Sequence, residues 1–120
     1  MFDAYVFISG LIKSAQKSIV LIDNYIDETV LTLFSKNKKA KVSIYTKEIS
    51  KQLKLDLEKY NAQYKSIEIK QFKSAHDRFI IMDNKEIYHI GASLKDLGKK
   101  WFAFSKFNID VIEILKKLEK

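Results

Sequence analysis

Two periodicities alternate along this chain, and their order leaves few folds open. Short apolar runs at Ser18-Ile19-Val20-Leu21-Ile22 and Lys41-Val42-Ser43-Ile44-Tyr45-Thr46 read as strands, because fully buried strands lose the polar alternation of half-exposed ones. Phe2, Tyr5, Val6, Ile8, Leu11, Ile12 and Ala15 recur at helical spacing and predict an amphipathic helix over residues 2–17. Asp27-Glu28 predicts the start of a second helix ending near Phe34, with its carboxylates at the positive end of the helix dipole. Ile49, Leu53, Leu57 and Tyr60 predict a third helix over 48–63.

Beyond residue 65 the pattern changes. Three extended runs follow at 66–70, 78–82 and 86–90, and the last two are joined by Asp83-Asn84-Lys85, which suits a hairpin turn. Residues 109–120 read as a closing helix. Helices and strands in alternation, then a hairpin, predict an α/β sandwich with a mixed sheet, parallel first and antiparallel later. With 120 residues, no Pro and no repeat, the expectation is a single domain over 1–120. The helix that opens so abruptly suggests a segment of a longer chain.

Composition narrows the chemistry. There is no Cys, which excludes disulfides and thiolate metal sites and points to a reducing compartment. No run approaches the roughly 20 apolar residues of a membrane span, so the expected setting is cytoplasmic, with no membrane partner. The formal charge of +7 favours polyanions, nucleic acid (DNA above all) being the first candidate; the same lysines also suit a plain solvated surface.

The residues that carry chemistry lie on the fourth strand. Side chains alternate across a strand, so His76 and Arg78 are expected on one face and Asp77 and Asp83 on the other. An imidazole can attack phosphorus or protonate a leaving oxygen, and a guanidinium can hold two phosphate oxygens. Gly91-Ala92-Ser93 follows the hairpin, where a glycine admits close backbone approach and a hydroxyl can bond an anion.

His76-x-Arg78, four residues, Asp83, then Gly91-x-Ser93 resembles the phospholipase D (HKD) signature of His-x-Lys, four residues, Asp, six residues, Gly-Ser. The order of predicted elements is similar to that superfamily over nearly the whole chain. The stretches 21–25, 76–79 and 91–101 further resemble the C-terminal domains of bacterial and prophage ORF6N-type DNA-binding proteins. The resemblance implies a phospholipase D-like α/β sandwich and a metal-independent phosphodiesterase without cofactor. In it His76 would form a phosphohistidine, Arg78 and Asp83 would complete the catalytic set, and Gly91, Ser93 and Lys95 would line the phosphate. One motif per chain implies a homodimer that joins two copies of His76.

Departures point to a rival reading, a module for nucleic-acid or phosphate binding or for dimerisation, without turnover. Arg78 stands where the signature has Lys, seven residues rather than six precede Gly91, and Ser93 lies two places after it. His89 shares a strand face with Ile87 and Gly91, and reads more readily as a hydrogen-bonded structural histidine than as a second catalytic one. Asp23 and Asn24 suit a turn at least as well as the site. Trp101, Phe102, Phe104 and Phe107, interleaved with lysines, suit either base stacking or core packing. The two histidines, thirteen residues apart, match no zinc spacing, and no glycine-rich nucleotide loop exists.

Overall fold

The computed structural model describes residues 4–75, 77–91, 94, 104–107 and 118. Among these residues, three helices, α1 (Ala4–Ser14), α2 (Glu28–Phe34) and α3 (Lys51–Gln63), accompany six strands: β1 (Ser18–Ile22), β2 (Lys41–Thr46), β3 (Ile67–Gln71), β4 (Arg78–Met82), β5 (Glu86–Ile90) and β6 (Phe104–Phe107). They form one sheet in the order β3-β2-β1-β4-β5-β6. The β1, β2 and β3 pairings are parallel, and those of β4 with β1 and of β5 with its two neighbours are antiparallel. The mixed sheet expected from the sequence is therefore present, with the change of direction between β1 and β4.

Side chains divide between the two faces of this sheet. Ile19, Leu21, Val42, Ile44, Ile80, Met82 and Ile90 belong to the larger core, together with residues of all three helices such as Ile8, Phe34 and Leu53. Val20, Ile22, Tyr45, Ile81, Ile87 and Leu118 form a second core on the other face. Strands covered on both sides must be apolar at successive positions, which is why β1 and β4 read as continuous runs.

Side-chain caps set the helix boundaries. Asp27 caps α2 by accepting the Thr29 N–H, and Ser50 caps α3 by accepting the Leu53 N–H. The Ser50 cap starts α3 three residues later than the apolar spacing predicts. In the same way α1 stops at Ser14 rather than 17, because the Asp83 carboxylate takes the N–H groups of Gln16, Lys17 and Ser18 and holds them out of the helix.

Asp83 and Asn84 adopt positive φ values of 54° and 57°, a conformation these two residue types tolerate, and Lys85 N–H closes the turn on Met82 O at 3.0 Å. The edge strand β6 has no counterpart in the sequence pattern: Phe104 and Phe107 are three apart and break the period of two, and only the open edge of β5 makes them a strand. Most of the expected closing helix lies outside the described residues, but Leu118 is helical and buried.

Asp83 supplies a stability prediction. Three backbone N–H groups hold its carboxyl below the ordinary carboxylate range, that of Lys17 contributing most. A depressed folded-state pKa stabilises the fold above the unfolded value of about 3.9, and that stability is lost as pH falls through the folded one. Asp83→Asn, which keeps the tolerance for positive φ, is expected to lose about 1 kcal/mol at pH 7, as for removal of a cap. The gap in Tm between wild type and variant should then close below about pH 4. Thermal melts from pH 7 to 3 check this; a gap that does not change with pH contradicts it.

Candidate active site

Arg78 opens β4 and pairs in register with Ile90 of β5, so it lies on the face covered by the three helices. Ile22 pairs with Tyr45 on one side and Phe79 on the other. One residue further on, Asp23 therefore stands between Thr46 and Arg78 at the C-terminal ends of the parallel strands. In open α/β sheets this is where ligand crevices form.

Asp23 is fully buried. Its carboxylate accepts the N–H of Tyr25 at 3.1 Å and of Leu94 at 2.9 Å, and lies 3.8 Å from Arg78 Nε. This carboxylate therefore ties Leu94 to the end of β1. Asn24 acts on the other flank: its Nδ2 donates to Ala75 O at 2.9 Å, which fixes the residue immediately before His76. Neighbouring residues thus hold the approaches to both halves of the predicted motif.

The Arg78 side chain is 31% exposed, and its guanidinium carbon lies 5.9 Å from the centroid of the exposed Tyr25 ring, within cation–π range. Arg78 Nε, Asn24 Oδ1 and Thr46 Oγ1 are buried with no hydrogen-bond partner among the described residues. Three such atoms at one end of a sheet are unusual, because buried polar groups are nearly always paired.

The structure separates residues that the motif places together. Asp83 lies at the far end of β4, five residues from Arg78, or roughly 16 Å at strand spacing, where it holds the loop between α1 and β1. His89 and Asp77 are on the opposite face from Arg78: His89 Nε2 is 3.5 Å from Asp77 Oδ1, and its ring lies 5.4 Å from that of Phe79. Gly91 is exposed directly after β5. His76, Ser93 and Lys95 lie outside the described residues, as do Trp101 and Phe102. Asp23 is easy to underrate in the sequence because Asp-Asn after a strand looks like a turn; its position directly after four buried residues of β1 is the signal that marks it out. Among the described residues no three His, Asp or Glu side chains gather as a metal site would require, and no helix is long and apolar enough to cross a membrane.

A mixed sheet with the three described helices packed on one face makes the α/β sandwich expected from the sequence. Solved structures support this fold. NucT from Helicobacter pylori superposes with a TM-score of 0.65 at 18% identity, over 98% of this chain and 84% of that one. TrmBL2, an archaeal chromatin protein described as having a novel mode of DNA binding, gives 0.61 at 16% identity, over 98% of this chain and 46% of its own. No family model matches the chain, and no curated protein does.

Proposed function

We propose that this chain is a metal-independent phosphodiesterase acting on nucleic acid, with Arg78 as its phosphate-binding cation and His76 as its nucleophile. The observation that carries the reading is the clamp around Arg78. Asp23 and Asn24 tie Leu94 and the residue before His76 to the end of one strand, an arrangement that suits a preorganised anion site. A chromatin protein that binds DNA shares the fold, and the charge of +7 agrees with a polyanionic substrate.

In the proposed reaction an imidazole nitrogen of His76 attacks phosphorus and the leaving oxygen departs with a proton from His76 of a second copy. Water then attacks the phosphohistidine, giving a proton back to the second copy's His76, and the P–N bond breaks to release the phosphate-ended strand and regenerate the imidazole. A two-fold homodimer, a cytoplasmic setting and phosphate contacts from Gly91, Ser93 and Lys95 belong to the same proposal. Asp83 enters it as the residue that holds the α1–β1 loop. The ORF6N resemblance carries no part of the reading.

One observation favours the rival, a binding module without turnover. The buried Asp23 carboxylate 3.8 Å from Arg78 offsets part of the charge that a transition state would draw on. The test is cleavage of labelled DNA and RNA in EDTA. Loss of at least about 10³-fold in His76→Ala, with melting unchanged, is expected for a nucleophile. Nucleic acid that binds but is never cut would establish the rival.

A further inference from the structure

At the other end of the parallel strands, away from Arg78, the loop Lys36-Asn37-Lys38-Lys39 is tied down from within. Asn37 is buried, and its Nδ2 donates to the carbonyls of Ile12 and Ala15 at 2.7 and 2.9 Å, while its Oδ1 accepts the N–H groups of Lys39 and Ala40 at 2.8 Å each. Both donors and both acceptor positions of this amide are used, so the three exposed lysines on the loop are presented in a set arrangement. Lys65 joins them by donating to the Lys39 carbonyl.

Beside this cluster Tyr64 is exposed and its ring lies over Tyr60, with centroids 4.8 Å apart and planes inclined by 32°. Between them lies a cavity of about 350 Å³ lined by Tyr64, Tyr60, Gln63, Ser35, Asn37, Lys38 and Lys65. Among the described residues no carboxylate lines it. Backed by Tyr60, the Tyr64 ring is a preset stacking surface with cations on its rim.

From this geometry we infer that the Tyr64–Lys38–Lys65 cavity is a second contact surface for single-stranded nucleic acid, at the opposite end of the parallel strands from the Arg78 site. A base stacks on Tyr64 while the ammonium groups of Lys38, Lys39 and Lys65 follow the backbone phosphates. The inference rests on nucleic acid being the polyanion of the proposed function. It adds to that function a grip that holds the strand independently of the phosphate being attacked. An aromatic platform distinguishes this surface from one built for anionic lipid, which requires an apolar helix face to enter the bilayer.

The test is fluorescence anisotropy with a labelled oligothymidylate between 50 and 200 mM salt, on the full chain carrying His76→Ala to prevent turnover. Adding Lys38→Gln, Lys39→Gln and Lys65→Gln is expected to reduce the slope of log K against log salt by about 2, at about 0.7 per single-strand phosphate. Tyr64→Ala is expected to weaken binding by at least about fivefold with the slope retained. Arg78→Ala should leave the losses caused by both changes in place. Affinity within twofold of the parent for the triple variant, or no measurable binding by the parent at 50 mM salt, would overturn the inference. So would a triple variant that loses only its binding to phosphatidylserine vesicles. Cleavage that persists in His76→Ala would sink the proposed function while leaving this surface standing.

Discussion

Arg78→Ala is expected to reduce nucleic-acid cleavage by about 10² to 10³-fold, the range for loss of one preorganised group that stabilises developing charge. The guanidinium stands at the end of β4 with 31% of its side chain exposed, so it meets solvent on one side and the Asp23 carboxylate on the other. Removing it leaves a buried carboxylate facing the substrate phosphate, and like charges repel in a partly desolvated site. Arg78→Lys restores the charge without the planar two-point grip and should recover only part of the activity. Steady-state kinetics on a labelled oligonucleotide, with inorganic phosphate as a competitor, separate these effects. Weaker binding of phosphate in Arg78→Ala accompanies lost cleavage if Arg78 touches the phosphate. Full cleavage in Arg78→Ala removes it from the site.

Asp23→Ala is expected to have the largest effect on stability, about 3 kcal/mol, from leaving two N–H groups without their charged acceptor. The carboxylate has no exposure, and its loss strands the N–H groups of Tyr25 and Leu94. Buried donors left without acceptors are costly in proportion to their desolvation. For a chain of this length the melting temperature should fall by about 10 °C. Asp23→Asn retains one carbonyl acceptor and should lose roughly half as much. Because Asp23 acts by positioning other groups, a second readout is needed: Asp23→Asn should raise KM for the oligonucleotide more than it lowers kcat if the segment that Leu94 anchors binds phosphate. A melting temperature within about 3 °C of wild type for Asp23→Ala would contradict the clamp, at the few degrees per kcal/mol typical of this size.

Several elements are legible in the chain itself because local chemistry dictates them. The runs Ile19–Ile22 and Phe79–Met82 are apolar at successive positions, and that pattern requires a strand covered on both faces. Asp27 ahead of α2 and Asp83-Asn84 between β4 and β5 announce a cap and a turn through their own side chains. The start of α3 is less legible: apolar spacing continues back to Ile49, whereas the Ser50 hydroxyl decides where the helix begins. Strand β6 leaves no local trace because its pairing with β5 is a nonlocal event.

Asp83 and Asp23 mark the division between local and tertiary information for the site. The residues alone dictate the α/β class, the strand that carries Arg78, and the presence of a His-x-Arg pair followed by a Gly-x-Ser corner. Spacing along the chain also puts Asp83 in the motif. Tertiary structure assigns Asp83 to the opposite end of the sheet, where it collects the N–H groups of Gln16, Lys17 and Ser18. It also brings Asp23, 55 positions before Arg78, to within 3.8 Å of it. The physical reason is that a strand fixes which face a side chain takes through its own two-residue period, whereas its neighbours across the sheet are set by pairing between segments distant in the chain. Spacing along one strand identifies candidates, and only the β1–β4 register selects which of them stand together.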